Sequence, residues 1–178
     1  ATSPDDSRIS NVTFHTLNNN SPSGCQTYTN YTGVSAPTLN AGNNYPASVT
    51  YNSCSGYSYS AVSGIWIDFN QDGTYQDPAE RVFSGTHTAT LGIMLTPTAS
   101  GTVSIPLLAP SGVTGMRVVL SEAGTVSPCG TYSYGETEDY LVNIVGAALC
   151  SGAPTPGNTL ASNNPACYGA PVTMSLAG

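Results

Sequence analysis

The sequence predicts an all-β protein, an antiparallel β-sandwich of jelly-roll or immunoglobulin-like type with long loops. Only 7% of its 178 residues are charged, against about a quarter in an ordinary soluble domain, so the residues that solvate helices and pair along them are missing. In their place, β-branched and aromatic runs are separated by Gly, Pro, Asn and Ser clusters, as in a fold of short strands. Side chains also alternate within the runs. Val12, Phe14 and Thr16 fall on one side, and Ile65, Ile67 and Phe69 oppose Trp66 and Asp68.

Nine strands are expected: residues 9–17, 38–39 with their neighbours, 45–51, 63–69, 81–84, 88–95, 101–107, 115–121 and 139–145. Pro37, Pro97, Pro110 and Pro128 stand at the joints between them, where no ladder hydrogen bond is lost. Beyond Val145 the texture changes. Residues 146–178 hold no acid or base, contain Pro154, Pro156, Pro165 and Pro171, and end in a strand-like piece at 171–176. Residues 1–146 therefore read as one domain, and 147–178 as a linker opening a following module or an extended tail.

The formal charge is -7, with Arg8, Arg81 and Arg117 as the only strong bases. Such a chain has no basic stripe for phosphates, which excludes nucleic acid and anionic membrane surfaces as partners. No apolar run approaches the roughly 20 residues of a membrane span, and no basic-then-apolar leader opens the chain, which reads as already processed. The five cysteines, Cys25, Cys54, Cys129, Cys150 and Cys167, form no C-x-x-C pair, and neither histidine neighbours one. Disulfides fit better than zinc, placing the chain outside the cytoplasm with one thiol left over. Cys150 and Cys167 can close a small loop on each other.

Seven of the ten carboxylates fall in two windows, Asp68, Asp72, Asp77 and Glu80 in one and Glu136, Glu138 and Asp139 in the other. Crowded like charges ask for a screening cation. The first window opens with the D-x-N-x-D-G pattern of calcium loops, in which alternate oxygens converge and glycine allows a sharp turn. It is no EF-hand: the twelfth loop position is Ala79, and the incoming segment 64–67 reads as strand. Asp68, Asn70, Asp72, Thr74, Asp77 and Glu80 are the candidate Ca2+ ligands, with a solvated Asx turn as the alternative. In the second window, Glu136, Glu138 and Asp139 fit a metal site, a solvated turn or an edge strand blunted by charge.

These stretches together resemble the GEVED domain, a module of large secreted and cell-surface bacterial proteins named for a motif that stands here as Gly135-Glu136-Thr137-Glu138-Asp139. The resemblance spans about residues 9–145. Its landmarks are the 9–14 segment, Cys25 with Tyr28 and Tyr31-Thr32, the 65–73 segment, Gly115-Met116-Arg117-Val118, Pro128-Cys129-Gly130 and the name motif running into Tyr140. Thr137 replaces the usual valine and Phe69 a frequent tryptophan, and neither change removes an oxygen ligand. The resemblance implies a non-catalytic β-sandwich accompanying proteases, adhesins or repeats on exported chains, often type IX secretion cargo. It implies a Cys25 to Cys129 bridge, with Cys54 as the odd thiol and Cys150 paired with Cys167. The segment 150–176 resembles the opening of an immunoglobulin-like or PKD-like repeat.

No nucleophile motif such as G-x-S-x-G or H-E-x-x-H occurs, and His15 and His87 read as half-exposed strand residues, so no catalytic residue is expected. The expected role is an extracellular, calcium-stabilised structural or adhesive module. Its partners would be neighbouring modules of the same polypeptide, or copies of itself joined in a fibre by the terminal strand. The alternative is a carbohydrate-binding accessory domain of a secreted hydrolase, using tyrosines in Tyr57-Ser58-Tyr59, Tyr132-Ser133-Tyr134 and Tyr28-Thr29-Asn30-Tyr31 on a cell-surface glycan.

Overall fold

The computed structural model describes residues 1–22, 24–89 and 96–147, and the backbone of 159–161 and 174–176. The chain divides into two compact units, Ala1–Ala147 and Ala148–Gly178. Among its described residues the first holds ten strands: β1 (Ser7–Phe14), β2 (Leu17–Asn20), β3 (Tyr28–Asn30), β4 (Thr38–Asn40), β5 (Asn44–Ser53), β6 (Ala61–Ile67), β7 (Arg81–His87), β8 (Thr98–Ser104), β9 (Gly112–Ser121) and β10 (Gly135–Val145). In the second, the backbones of β11 (Thr159–Ala161) and β12 (Met174–Leu176) pair antiparallel. No helix among the described residues is long and apolar enough to cross a membrane.

The first unit is a β-sandwich. One sheet runs β2-β1-β5-β8, and the other β3-β10-β9-β6-β7, with β4 also on β10. Period-two alternation supplies the core: Val12 and Phe14 of β1 and Val49 and Tyr51 of β5 are buried from one sheet, and Ile65, Ile67, Met116, Val118, Leu120, Val142 and Ile144 from the other. Each such side chain contributes about 1.5–3 kcal/mol. The antiparallel pattern has one exception. β3 and β4, three residues each, follow one another along the same edge of β10 and pair with it in parallel.

Two strand readings change. The expected strand at 9–17 is a hairpin, because His15 adopts a left-handed φ of 53° and turns β1 back into β2. His15 is thus a turn residue, its ring 4.5 Å from that of Tyr45. The name motif is neither solvated turn nor charged edge but the first half of β10, an interior strand flanked by β9 and β3. Residues 90–95 of the expected strand at 88–95 lie outside the described residues.

Cysteine pairing also differs from the implied one. Cys25 joins Cys54, with Cα atoms 6.0 Å apart, and Cys129 is an exposed free thiol. Cys54 follows β5 with its amide on the Asp6 carbonyl (2.7 Å), at the sheet end reached by the segment before β3. Cys129 instead sits on a loop whose Pro128 carbonyl is held by Arg117 on the outer face of the other sheet. The bridge therefore fastens the approach to β3, in one sheet, to the end of β5, in the other. Cys150 and Cys167 lie outside the described residues. Closing a loop of sequence separation 29 restricts the unfolded chain by about 3–4 kcal/mol in the entropy model.

Peptide mapping without reductant is expected to recover Cys25 linked to Cys54, with Cys129 open to alkylation. The double variant Cys25→Ser, Cys54→Ser should melt about 6–12 °C lower. A Cys25 to Cys129 peptide would contradict this register.

Candidate functional site

Residues 68–80 leave the end of β6 as a loop that folds around its own acids. Asp68 is buried, its amide on the Gly115 carbonyl (3.0 Å) and its carbonyl accepting Thr114 Oγ1 (2.7 Å). Its carboxylate turns inward and accepts the amides of Asp72 (3.2 Å) and Gly73 (3.0 Å). The Asp72 amide also points at Asn70 Oδ1 (3.0 Å), so oxygens of Asp68 and Asn70 converge on one N–H. Left-handed backbone at Gln71 and Gly73 makes this reversal possible. Asp72 accepts the hydroxyl (2.6 Å) and amide (2.8 Å) of Thr74, and the side-chain amides of Asn70 and Gln76. Those bonds, Thr74 first, hold its carboxyl below the usual range.

Two of the expected ligands are engaged elsewhere. Glu80, 4% exposed, closes the loop by accepting the amides of Phe69 (2.9 Å), Asn70 (3.3 Å) and Gln76 (2.9 Å). Asp77 pairs with Arg81 at 3.2 Å. The loop thus gathers Asp68, Asn70, Asp72 and Thr74. Among the described residues, no group of three or more His, Cys, Asp or Glu side chains is arranged to hold a metal ion.

The strand period divides the acids of the name motif, two facing inward and one outward. Glu136 and Glu138 face the sandwich interior at 2% and 0% exposure. Glu136 reaches the opposite sheet, accepting the Ile9 amide (3.0 Å) through Oε2 and Thr29 Oγ1 (2.9 Å) through Oε1. The β1–β5 register shifts between Ile9 and Asn11, beside this contact. Glu138 accepts the hydroxyls of Ser21 and Tyr140 (2.7 Å), and Asn19 Nδ2 donates to the same tyrosine (2.9 Å). Arg8, itself buried and donating to the Pro22 carbonyl (2.8 Å), is the cation whose field reaches both glutamates. Burial pushes Glu136 up and Glu138 to about 7.

Asp139 alone points outward. It meets Arg117 through two parallel bonds of 2.7 Å, the fork geometry that makes guanidinium and carboxylate strong partners. The third Arg117 nitrogen donates to the Pro128 carbonyl (3.0 Å), Tyr28 Oη donates to Asp139 (3.1 Å), and the guanidinium lies 4.9 Å from the Tyr75 ring centre. Burial pushes the Tyr75 hydroxyl up to about 12. Gly135 has φ 132°, and a Cβ there would lie 2.0 Å from the Leu120 carbonyl oxygen, so only glycine can open the motif. Arg117, Ser21 and Thr29 escaped the sequence reading. Arg117 had a findable signal, since one of three arginines falls on the same face as Asp139 of a neighbouring strand.

His87 is wholly buried, not half-exposed. Its Nδ1 faces the Pro97 carbonyl (3.1 Å) and its Nε2 the Ser63 hydroxyl (3.0 Å), and burial lowers its basicity. A carbonyl accepts only, so Nδ1 carries the proton and Nε2 accepts from Ser63. Among the tyrosines expected to meet a glycan, Tyr57, Tyr59, Tyr134 and Tyr28 are exposed. Tyr31 stacks on Tyr140, and the Tyr132 hydroxyl is shared with Thr137 (2.6 Å).

The raised acid sets a pH dependence. Native Glu138 keeps its proton to about pH 7, whereas the unfolded side chain releases it near 4.5. The native state binds more protons across that window, so stability falls as pH rises through it, by up to about 3 kcal/mol. Glu136 acts in the same sense. His87 acts oppositely, because below its ordinary 6.5 the unfolded chain gains a proton that the native state resists. Glu138→Gln is expected to flatten the fall in melting temperature between about pH 5 and 7.5; an unchanged slope would show that Glu138 is not its source.

No curated protein matches the chain. Among solved structures it is similar to the CARDB domain of a Pyrococcus furiosus protein. A crystal structure described as a complex with di-metal ions gives 11% identity and a TM-score of 0.42, covering 83% of this chain and 100% of that one. A solution NMR structure gives 12% and 0.37, covering 61% and 86%. The family model described as GEVED domain matches residues 62–143, a span that runs from β6 to β10 and holds both acidic windows. Over residues 62–143 the chain is thus similar to the GEVED domain.

Proposed function

We propose that this domain is a non-catalytic structural or adhesive module of a larger extracellular protein, held rigid by its internal carboxylate bonds, its disulfide and a calcium ion in the 68–74 loop. The observation that carries the reading is the engagement of the acids. Glu80, Glu136 and Glu138 each accept hydrogen bonds through both oxygens, and Asp139 is matched bidentately by Arg117. A general acid or base needs a free edge toward substrate, and His87 has both ring nitrogens engaged. GEVED is a domain of extracellular proteins, and the disulfide fits an oxidising compartment.

Calcium suits the donor set of the loop. Oxygens of Asp68 and Asn70 already face one N–H, Asp72 lies beside them, and every candidate ligand is oxygen, the preference of a hard cation. Asp68, Asn70 and Asp72 would hold the ion, which would supply charge neutralisation and stiffness. Glu136, Glu138 and Asp139 take no part. Assembly into fibres through the terminal strand would require β12 to exchange β11 for the sheet edge of a neighbouring copy.

Thermal unfolding in EDTA and in added calcium tests the ion. Calcium at about 100 times its Kd should contribute about 2.7 kcal/mol and raise the melting temperature by several degrees. Asp72→Ala should abolish that gain, while Asp139→Ala lowers both curves equally. A midpoint indifferent to chelator and calcium would reduce the loop to an Asx turn held by its own amides.

A further inference from the structure

We propose that the outer face of the β6–β7 hairpin is a binding groove for a neutral oligosaccharide. An open concavity of about 460 Å³ lies there, within the range of small-ligand sites, about 300–1,000 Å³. Val62 of β6 and Ser84 and Thr86 of β7 line it, with Val62 and Thr86 as cross-strand partners. Val126, from the β9–β10 connection, lines it too. Its position is fixed by Gly64, where a Cβ would meet the Trp66 ring at 2.4 Å and Val126 at 3.1 Å; the buried indole thus lies against Gly64 with Val126 beside it. Asp77 and Arg81 complete the groove as an ion pair whose side chains are 34% and 35% exposed.

Each part of this lining has a counterpart in a sugar. The valine methyls suit the C–H face of a pyranose. Ser84 and Thr86 are exposed and their hydroxyls bond no described residue, and a carboxylate beside a guanidinium offers acceptors and donors to adjacent sugar hydroxyls. The Asp77–Arg81 pair is net neutral and the chain carries -7, so sulfated, phosphorylated or uronic-acid sugars are repelled and a neutral one is not. With no aromatic ring among its lining residues, the groove is expected to bind weakly, on the order of 1 mM. The site uses none of the exposed tyrosines and is independent of the calcium loop reading.

Saturation-transfer NMR with cellotriose, chitotriose and mannotriose at about 5 mM tests the groove. At least one trisaccharide should show transfer to its ring protons. Ser84→Lys, which places a long side chain in the groove, should weaken that binding about ten-fold or more, and Thr86→Val several-fold, with melting temperature and calcium response unchanged. Absence of transfer for all three sugars, or undiminished binding in Ser84→Lys, would overturn the proposal and leave the scaffold reading intact.

Discussion

Glu136 spans the interior of the sandwich from β10 to the Ile9 amide of the facing sheet, and much of the domain is arranged so that this carboxylate can be buried. An acid with almost no exposure is destabilising unless its oxygens find donors. The donors sit at structural irregularities: the Ile9 amide beside a register shift in β1, and Thr29 on a three-residue parallel strand. Two residues on, Glu138 repeats the requirement and is met by Ser21 and Tyr140. The stretch from Asn19 to Thr29, which carries Cys25, is thereby held by side chains where it lacks a ladder of its own.

Alternation along β10 divides the motif into two functions. The inward glutamates join the two sheets, while outward Asp139 fixes Arg117, which in turn holds the Pro128 loop and lies beside Tyr75 from the 68–80 loop. The two acidic windows thus communicate through Arg117 and Tyr75 and need no common ion. Gly135 completes the logic, since the strand can begin only where the chain passes against the Leu120 carbonyl.

The class of fold was legible because period two and proline punctuation are local signals. Most strands appeared near their true bounds, as with 45–51 inside Asn44–Ser53. What escaped depends on partners distant in sequence. Nothing near His15 and Thr16 announces a hairpin, since neither residue is a usual turn former, yet the left-handed His15 supplies one. Counting charge made Glu136 and Glu138 look like solvated or metal-bound acids; that they lie on an interior strand became visible only once β9 and β3 flanked it. The D-x-N-x-D-G loop was readable in its turn and converging oxygens, but Glu80 as a clasp for three amides was not, because its targets are backbone groups with no sequence signature.

The central claim is that the motif's carboxylates are internal ties and not ligands. A double-mutant cycle on Arg117 and Asp139, using Arg117→Met and Asp139→Ala with unfolding free energies measured in EDTA and again in calcium, tests it most directly. The account predicts a coupling of about 2 kcal/mol or more that is the same in both conditions. A coupling within about 0.5 kcal/mol of zero in EDTA, or one that appears only with calcium, would contradict it.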